Sequence, residues 1–445
     1  MKPSDMTIAG SFEQTLENLA TRKAVSRYVV AYSGGADSHV LLHLCAQLRL
    51  PLRAVHVHHG LQADAGAWDR HCEIVCRRLG VDYACIEVDA SPVPGESPED
   101  AARTARYGAL AENTRADECL LTAHHRGDQA ETLLLQLLRG AGPAGLASMP
   151  EIRPFGRGQH ARPLLAFGRE QILEYARQHR LQWIDDPSNT DLRYDRNYLR
   201  TEILPRLQQR WPGAEQSLAQ AARLQQASLE LGNVIAAVDL ASISLQQPNA
   251  VSVRGLRQLD STRQYNVLRY WISRSGFARP RRSILREIID NVLPAAEDAT
   301  PVVLWGETEV RRYRNNLYLL RTIDDHHYTL IYAWDGAQPL LLDRLGIELR
   351  LQQQQGAGLS TDAVSRGLTV RFRQGGENIR PHGRRHTRSV KKLMQEAGIA
   401  PWQRNRIPLI YVEDELACVC GYWVAAGFTV APDQMGWVPV CRETA

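Results

Sequence analysis

Lysine is nearly absent from this chain of 445 residues. It stands only at Lys2, Lys23, Lys391 and Lys392, and every other basic side chain is an arginine. A Walker A phosphate loop requires the sequence Gly-Lys-Ser/Thr, and none of these lysines follows a glycine, so a nucleotide site of that kind is excluded. A Schiff-base lysine is likewise excluded from the long stretch between Lys23 and Lys391.

Cysteine pairs with the spacing of a redox or zinc site are absent as well. The chain has eight cysteines, and neither Cys72 with Cys76 nor Cys418 with Cys420 has Cys-x-x-Cys spacing. This disfavours a disulfide framework or a zinc ribbon and favours buried free thiols. No apolar run approaches the length of a membrane span, and the N-terminus lacks the layout of a signal peptide. We therefore expect a cytoplasmic protein with no membrane partner.

The whole chain is longer than one ordinary hydrophobic core accommodates, so more than one domain is expected. Over its first third, strands and helices alternate. The hydrophobic pattern predicts strands at Arg27–Tyr32, Leu52–Val57, Tyr83–Val88 and Glu118–Ala123, and helices at Ser38–Leu48, Ala65–Leu79, Glu99–Asn113 and Gln129–Leu138. Such alternation is typical of parallel βαβ units with helices on both faces of the sheet. Because right-handed crossovers bring the carboxyl ends of the strands to one edge, the loops after them are expected to meet.

A glycine-rich loop follows the first predicted strand. In the segment VVAYSGGADSHVLL, Ser33-Gly34-Gly35 lead into a helix through Asp37 and Ser38. Glycine tolerates the backbone angles that turn N–H groups inward, and the positive end of the following helix points to the same place. Serine hydroxyls add donors, and an aspartate can hold Mg²⁺ against phosphates. An ordinary turn with Ser38 as the helix N-cap is the alternative, but the complete string favours phosphate binding.

Two further polar clusters follow other predicted strands. His56-Val57-His58-His59-Gly60 end the second strand, and His-His-Arg-Gly-Asp at residues 124–128 follows the fourth. The histidines of the first cluster could simply end a strand, and their spacing does not suit a metal site. In the second cluster, a role in helix capping is open to Asp128 and Glu131. His124 and Asp128 are nevertheless four residues apart and Asp128 and Glu131 three apart, so these side chains are expected to lie close together.

These segments together resemble a known family. SGGADS after a strand resembles the PP-loop of the N-type ATP pyrophosphatases, which bind the pyrophosphate of ATP and adenylate a carbonyl-type oxygen. Within that superfamily, Ala54–Leu61, Thr122–Thr132 and Tyr194–Arg200 are similar to motifs of the tRNA(Ile)-lysidine synthetases. This chain has Gly127 where that family usually has an aspartate, which leaves Asp128 as the acidic residue expected to act.

The resemblance implies both a fold and a reaction. The fold is a Rossmann-like α/β PP-loop ATPase domain with a parallel sheet. The reaction is the ATP-dependent ligation of free L-lysine to C2 of the wobble cytidine in a tRNA(Ile) with a CAU anticodon. It proceeds through an adenylated cytidine, with release of AMP and pyrophosphate, and it changes the tRNA from methionine to isoleucine identity. ATP and Mg²⁺ are the implied cofactors.

The same resemblance assigns roles to individual residues. ATP is expected to contact Ser33, Gly34, Gly35, Ala36, Asp37, Ser38 and His56, with Asp37 also holding Mg²⁺. Catalytic roles are implied for Asp37, His124, Asp128 and Arg196, of which His124 and Arg196 would hold the α-phosphate. Asp128 and Glu131 would bind the ammonium group of lysine, and the sequence does not say which of them takes its proton. Spacing alone would instead place Arg196 and Arg200 on a solvated helix face.

A block of basic residues occupies the C-terminal region. The residues expected to contact tRNA are Arg371, Arg373, Arg380, Arg384, Arg385, Arg388, Lys391 and Lys392, and the block continues through Arg404 and Arg406. Charge runs are usually solvated faces, but this one has few opposing acids and is interleaved with glycine and histidine. Contact with a nucleic-acid backbone explains it better. The block also resembles the C-terminal tRNA-binding domain of the same family.

These observations divide the chain into three domains. We expect a catalytic domain over residues 1–214, a mainly helical tRNA-binding domain over 215–350 and a small, basic α+β tRNA-binding domain over 360–445. The glutamine-rich segment Gln352–Gly358 is predicted as a loop or linker. Strands are predicted at Thr369–Arg373, Leu409–Val412 and Cys418–Trp423, around a helix at Ser389–Ala397. The sequence leaves both a monomer and a homodimer open.

Three other functions fit parts of this sequence. A PP-loop tRNA thiolase would need paired Cys-x-x-Cys motifs or a catalytic cysteine beside the site, and the polar clusters contain no cysteine. An amidating ligase that acts on a small molecule would leave the basic block without a purpose. A non-catalytic tRNA-binding protein with a decayed nucleotide site is disfavoured because Ser33, Asp37 and Ser38 are all present.

Overall fold

A computed structural model of the chain describes residues 8–20, 25–58, 65–91, 98–185, 191–247, 249–296, 299–322, 330–342 and 346–443. The chain divides into two units, one up to Val238 and one from Asp239 onward, and the division falls within a long helix. Among the described residues, no helix combines the length and the apolar composition that a membrane crossing requires.

The elements of the N-terminal unit alternate along the chain. They are α1 (Ile8–Ala20), β1 (Arg27–Ala31), α2 (Ala36–Gln47), β2 (Leu52–His58), α3 (Ala65–Leu79), β3 (Asp82–Glu87), α4 (Pro98–Glu112), β4 (Glu118–Leu121), α5 (Arg126–Leu138), α6 (Pro143–Leu146), β5 (Ile152–Phe155), β6 (Gly158–Ala161), α7 (Arg169–Gln178), α8 (Asp195–Tyr198), a π-helical turn (Leu199–Ile203), α9 (Leu204–Arg210) and the long α10 (Ala214–Ile243), which crosses the division. All four predicted strands and four predicted helices of the first third are present, with ends that differ by up to three residues.

The strands form one sheet in the order β3-β2-β1-β4-β6-β5. Every neighbouring pair is parallel except β5 with β6, which is antiparallel. The chain order reverses between β1 and β4, and open α/β sheets bind ligands at such a switch point, outside the carboxyl ends of the strands. The predicted Rossmann-like fold with a parallel sheet is confirmed.

The central strands are buried because helices cover both faces of the sheet. Val29 and Val30, neighbours on β1, point to opposite faces, and both are almost fully buried. One face packs in the main core with Phe12 of α1, Leu41 of α2 and Ile172 of α7. This explains why β1 and β4 are short, nearly continuous apolar runs rather than alternating ones.

The second unit is built from shorter elements. They are β7 (Ala250–Ser252), α11 (Val253–Gln258), α12 (Ser261–Arg274), α13 (Arg282–Glu287), a π-helical turn (Ile288–Val292), β8 (Val302–Trp305), β9 (Thr308–Tyr313), β10 (Asn316–Arg321), β11 (Tyr332–Trp334), β12 (Leu340–Leu342), β13 (Ile347–Gln355), α14 (Thr361–Ser365), β14 (Leu368–Arg371), β15 (Asn378–Ile379), β16 (Arg388–Ser389), α15 (Val390–Glu396), α16 (Pro401–Arg404), β17 (Leu409–Val412), β18 (Glu415–Val419), β19 (Trp423–Val424) and β20 (Met435–Glu443).

The first part of this unit is helical, as predicted, and its helices pack against a small sheet. The sheet has the order β7-β10-β9-β8 and is antiparallel. Leu268 and Ile272 of α12 share a core with Val310 and Leu317 of the strands. The helices therefore bury their apolar faces on the sheet rather than only on one another.

The C-terminal part is α+β, which confirms that prediction. An antiparallel sheet has the order β11-β14-β17-β18-β19, a second has the order β12-β13-β20, and β15 pairs with β16. Helix α15 contributes Val390, Leu393 and Met394 to the common core. The predicted single strand Cys418–Trp423 is instead β18 and β19, joined by a turn in which Gly421 has a φ of +76°.

The prediction of a loop or linker at Gln352–Gly358 is wrong for Gln352–Gln355. Residues up to Gln355 belong to β13, a nine-residue strand that pairs along its whole length with β20, from Ile347 with Glu443 to Gln355 with Met435. Only Ile347 and Leu349 of this strand are buried. Glutamine is therefore tolerated on its exposed part, and the strand ends at Gly356, which has a φ of +69°.

None of the eight cysteines, all of which lie in the part of the chain that the structure describes, forms a disulfide. Six are buried, as expected of structural thiols, whereas Cys85 and Cys441 are exposed. Burial raises the pKa of the Cys72 thiol to about 12, so this cysteine is a thiol and not a reactive thiolate at neutral pH.

Candidate active site

The PP-loop connects β1 to α2 at the switch point of the sheet. Gly34 has a φ of +83°, and a Cβ atom there would lie 3.1 Å from the Cys72 sulfur and 3.2 Å from Ile184 Cδ1. Helix α2 begins at Ala36, with Gly35 as its N-cap and no side-chain cap. Position 34 therefore requires glycine, both because of its positive φ and because a Cβ atom would have little space there.

The two loop serines stabilise this turn together. The hydroxyl of Ser38 donates to the carbonyl of Gly35 at 3.0 Å and lies 3.0 Å from the hydroxyl of Ser33. Ser38 lies in the first turn of α2, so the alternative in which it is the N-cap is wrong. Without a side-chain cap, the first N–H groups of α2 are available to an anion.

Asp37 is the acidic group of this loop. It stands in the first turn of α2 with 33% of its side chain exposed. Its Oδ1 atom is buried and has no hydrogen-bond partner among the described residues. Burial raises the pKa of Asp37 above its ordinary value, because neighbouring groups compensate only part of the lost hydration. A cation beside Oδ1 would supply the missing partner.

The loop after β4 ends in an unexpected helix cap. Helix α5 begins at Arg126, three residues before the predicted start, and His125 is its N-cap. The His125 Nδ1 atom accepts from the N–H of Gly127 at 3.0 Å, while the N–H of His125 donates to Asp128 Oδ2 at 2.9 Å. Asp128 thus lies inside the helix and completes a capping box, rather than standing at its start.

Gly127 makes room for this cap. A Cβ atom on Gly127 would lie 2.9 Å from Cε1 of His125, which is closer than real Cβ contacts occur, and 3.1 Å from Nδ1, which is tighter than most of them. An aspartate at this position, as the related family usually has, would require the imidazole of His125 to shift. The departure at Gly127 and the position of His125 are therefore parts of one local arrangement.

His125 brings the two loops together. Its Nε2 atom lies 4.0 Å from Asp37 Oδ2 and 3.6 Å from Asp128 Oδ2. The loops after β1 and β4 converge, as the strand order requires. The sequence does not single out His125, since its role depends on a contact with a loop about 90 residues away.

Two arginines hold the carboxylates of α5. Glu131, whose side chain is 1% exposed, accepts from Nε of Arg196 at 2.8 Å and from Nε of Arg200 at 2.7 Å. Arg200 Nη2 also donates to Asp128 Oδ1 at 3.0 Å. Burial alone would raise the pKa of Asp128, but interaction with His125 and Arg196 holds it below its ordinary value.

This pairing corrects one interpretation of the sequence and adds a residue. Arg196 and Arg200 do not lie on a solvated helix face, because both guanidinium groups bond Glu131 in the interior. Arg200 is missing from the predicted site although it makes as many contacts there as Arg196. Spacing along α8 and the next turn could have indicated it, since the two arginines are four residues apart.

His124 lies beside this cluster as a neutral imidazole. Its Nδ1 atom is 2.7 Å from the hydroxyl of Thr122. Burial lowers the pKa of His124 to about 3, so the ring carries no charge at neutral pH. It can bind an oxygen by a hydrogen bond but not as a cation.

His56 lies beneath the PP-loop. It is buried, and its Nδ1 donates to the carbonyl of Tyr32 at 2.9 Å, directly before Ser33. Burial also lowers the pKa of His56. The structure places His56 as a support for the end of β1. His59 and Gly60 of the same cluster lie outside the described residues.

The basic residues of the C-terminal block fall into two groups. Six are exposed, and we call them the basic segment: Arg380, Arg384, Arg385, Arg388, Lys391 and Lys392. Of these, Arg384 and Arg388 share one carboxylate, that of Glu396, at 3.6 and 2.8 Å.

The other group is engaged within the fold. Arg371 donates to Asp414 at 2.8 Å and lies over the ring of Tyr411, and Arg373 donates to Asn405 at 3.1 Å. Arg404 is buried and donates to the carbonyl of Ile399 at 2.8 Å, so it does not belong to a solvated or nucleic-acid-binding face.

Family models match three parts of the chain. A PP-loop domain matches residues 7–207, a TilS substrate binding domain matches residues 252–318, and a TilS substrate C-terminal domain matches residues 368–441. The first match covers the sheet and the site, and the last covers the basic segment.

Relatives of known name match nearly the whole chain. The tRNA(Ile)-lysidine synthase of Coxiella burnetii is 42% identical over 429 residues, which are 96% of this chain and 95% of that protein. The enzyme of the same name from Methylococcus capsulatus is 43% identical over 93% of this chain and 97% of its own length. Among solved structures, the U34-tRNA thiolase NcsA from Methanococcus maripaludis gives a TM-score of 0.43 at 18% identity, over 49% of this chain and 78% of that one.

A parallel sheet with a Ser-Gly-Gly-x-Asp-Ser loop at its switch point, in a segment that matches the PP-loop domain, defines an ATP-using enzyme of the PP-loop class. The matches to the TilS substrate binding domain and the TilS substrate C-terminal domain identify one family within that class. The chain belongs to the tRNA(Ile)-lysidine synthase family, whose members are ligases.

Proposed function

We propose that this chain ligates free L-lysine to C2 of the wobble cytidine of a CAU-anticodon tRNA(Ile), with conversion of ATP to AMP and pyrophosphate. The observation that carries the proposal is the full-length identity of about 40% to enzymes of that name. The meeting of Asp37 with the loop after β4 supports it, because it supplies phosphate-binding and cation-binding groups at one point.

In the first step, the C2 oxygen of cytosine attacks the α-phosphorus of ATP, and pyrophosphate leaves. The N–H groups at the start of α2, with Ser33 and Ser38, are suited to the departing pyrophosphate. Arg196 and His124 are suited to the α-phosphate, the first as a charged fork and the second as a neutral donor. These contacts position the reacting groups and stabilise the charge that develops on the phosphate oxygens.

Mg²⁺ fits this site through Asp37. The buried and unpartnered Oδ1 atom of Asp37 is the group that would hold it. Among the described residues, no group of three or more histidine, cysteine, aspartate or glutamate side chains is placed to hold a metal ion, at this site or at another. A single carboxylate with substrate phosphates is a usual environment for Mg²⁺. When bound, the ion would neutralise charge on the phosphates.

In the second step, the ε-amine of lysine attacks C2, and AMP leaves with the oxygen. The amine has an ordinary pKa of about 10.4, so it must lose a proton first. Asp128 and Glu131 are suited to bind the ammonium group. Their charges are balanced by Arg196 and Arg200, so we infer that the phosphate and ammonium groups of the substrates replace some of these contacts when they bind.

The basic segment is proposed to hold the tRNA backbone. It exposes six cations on a short stretch of chain, and a dense cationic surface is the usual site for contact with phosphates. Arg371 and Arg373 remain part of the proposed surface with a smaller role, because each already has a partner within the fold. Action in the cytoplasm, where ATP, lysine and tRNA are present, belongs to the same proposal.

The decisive test is transfer of labelled lysine to RNA. The protein is incubated with labelled lysine, ATP and a tRNA(Ile) transcript with a CAU anticodon, and label in the RNA is measured together with AMP and pyrophosphate. We expect stoichiometric incorporation that requires ATP. A transcript with uridine at the wobble position is the matched control and should accept no label.

Two results would contradict the proposal. One is a lack of label in the CAU transcript although the protein binds it. The other is ATP-dependent incorporation of sulfur into tRNA, which would identify a thiolase. Cys72, which lies 3.9 Å from His56, is the cysteine to test in that case, although its raised pKa argues against such a role.

A further inference from the structure

A chain of hydrogen bonds lies behind His124. Thr122 follows β4 directly, and its Oγ1 atom is 2.7 Å from His124 Nδ1 and 2.8 Å from Nε2 of His160. His160 lies on the neighbouring strand β6, and its Nδ1 is 3.3 Å from Nη2 of Arg162. His160 and Arg162 are buried, so water does not compete for these contacts.

The direction of every bond in this chain follows from Arg162. A guanidinium group has donors and no acceptor, so His160 Nδ1 must accept and the neutral ring must carry its proton on Nε2. His160 Nε2 therefore donates to Thr122 Oγ1. The hydroxyl of Thr122 has one proton, and His124 Nδ1 is the acceptor that the described residues place within reach of it, so it donates to that atom. Neutral His124 is left with its proton on Nε2.

We propose that Arg162, His160 and Thr122 are positioning residues that fix His124 as the Nε2–H tautomer, a neutral hydrogen-bond donor toward the substrates. The part of this inference that concerns the substrates rests on the proposed function, whereas the tautomer itself follows from the four side chains alone. Burial supports the neutral state of both rings, since it lowers the pKa of His160 to about 2 and that of His124 to about 3.

The fixed tautomer restricts what His124 can do. A proton on Nε2 allows it to donate to a phosphate oxygen or to the C2 oxygen of cytosine, where charge changes during adenylation. It leaves no lone pair free to accept a proton from lysine, because Nδ1 already accepts from Thr122. His124 is therefore excluded as the base of the second step, and that role stays with Asp128 or Glu131.

The tautomer can be measured without turnover. In protein labelled with ¹⁵N-histidine, we expect Nε2 of His124 to have the ¹⁵N chemical shift of a protonated ring nitrogen and Nδ1 that of an unprotonated one. This should hold from roughly pH 6 to pH 8, because that range lies well above the lowered pKa of His124. The signals are assigned by their loss in His124→Gln. A proton on Nδ1, or a charged ring, would overturn the inference.

Thr122→Val removes the hydroxyl at nearly constant size, and Thr122→Ser keeps it. We expect Thr122→Val to give a mixture of His124 tautomers and to lower kcat for pyrophosphate release by about 10- to 100-fold, the usual cost of losing a partner behind an active group. KM for lysine should stay unchanged. Thr122→Ser should restore both the single tautomer and the rate.

The tautomer measurement and the lysine-transfer assay together distinguish a failure of this inference from a failure of the proposed function. If wild-type protein transfers no lysine but His124 shows a single Nε2–H tautomer that Thr122→Val disturbs, the proposed function is wrong and the positioning of His124 is confirmed. If lysine transfer occurs but Thr122→Val leaves the tautomer and kcat unchanged, the positioning of His124 is wrong and the proposed function is confirmed. Thermal unfolding of each variant shows whether a loss of rate reflects a loss of folded protein.

Discussion

Arginine serves opposite purposes in the active site and in the basic segment. In the active site, Arg196 and Arg200 are largely buried, and each bonds the inaccessible carboxylate of Glu131. In the basic segment, the cations are exposed, and Glu396 is the carboxylate that pairs with two of them. Burial, rather than residue type, separates the two cases.

The difference in burial between the active site and the basic segment determines which kind of ligand each region can recognise. Buried and paired charges interact strongly, and their effect depends on distances of a few tenths of an ångström. Exposed charges are screened by salt, and their number matters more than their exact positions. The first arrangement suits one substrate geometry, whereas the second suits a polyanion of any sequence. Substitutions in the two regions should therefore impair the protein in different ways.

The largest effect is expected from Asp37→Asn. Loss of the carboxylate removes the group proposed to hold Mg²⁺, so lysine transfer should fall by at least about 10³-fold, as for other charge-stabilising groups. The folded protein should nevertheless become more stable. Because burial raises the pKa of Asp37, the folded state binds more protons than the unfolded state, and ionised Asp37 lowers stability as pH rises.

Thermal unfolding as a function of pH checks this prediction. The gain from Asp37→Asn should be present at neutral pH and vanish below the ordinary aspartate pKa of about 3.9, where wild-type Asp37 is also protonated. Asp433→Asn, at an exposed position, is the matched control and should change neither stability nor activity. A less stable Asp37→Asn protein would contradict the described environment of Asp37.

Glu131→Gln should have the next largest effect, and Glu396→Gln provides the comparison. Each glutamate pairs with two arginines, but Glu131 is 1% exposed and Glu396 is 50% exposed. Removing one partner of a buried ion pair costs about 3 kcal/mol, while exposed pairs contribute little. Urea unfolding should therefore show a large loss for Glu131→Gln, together with at least a 10²-fold loss of activity, and no resolvable change for Glu396→Gln. Equal losses would remove the distinction between the regions.

Charge reversal in the basic segment should weaken binding rather than folding. For Arg384→Glu, Arg385→Glu and Arg388→Glu combined, we expect the slope of log Kd against log salt to flatten by roughly 2 to 3, near one for each lost phosphate contact. The control is Arg366→Gln, since Arg366 is exposed, lies outside the proposed tRNA surface and is already paired with Glu413 at 2.9 Å. An unchanged slope in the triple variant would remove the segment from the tRNA site.

Gly127→Ala should give the smallest effect. The added Cβ would press on His125 and disturb the cap of α5, so we expect a stability loss of about 1 kcal/mol, the usual value of a cap. Gly108→Ala, in helix α4 with nothing within 4 Å of the new Cβ, is the matched control. It should stabilise the protein by about 0.5–1 kcal/mol. A stabilising Gly127→Ala would contradict the position of His125.

Much of the N-terminal unit could be predicted from the sequence because its signals are local. The strand that ends at Ala31, the glycine turn and the following helix are contiguous, so the PP-loop and its place in a parallel sheet follow from pattern alone. The roles of His125 and Thr122 depend on partners in other loops and strands, and no local pattern reveals them. The same holds for Arg371, whose partner Asp414 lies about 40 residues away.

Pairing between distant segments also explains the misinterpreted glutamine run. Gln352–Gln355 have no alternating apolar residues and resemble a linker, yet they pair with Gly436 and its neighbours on β20. The energy of that strand comes from its backbone bonds and from the buried Ile347 and Leu349 at its other end. Composition therefore could not distinguish this strand from a loop.

The pairing of β13 with β20 sets an order of events during synthesis. The sheet β12-β13-β20 cannot close before residues 435–443 have left the ribosome, although β13 emerges about 80 residues earlier. The N-terminal unit, whose strands all lie before residue 162, is free to fold much sooner. A nascent chain interrupted near residue 430 would thus contain both a folded nucleotide site and, further along the chain, an open sheet edge, which is the kind of surface that aggregates and that cellular quality control removes.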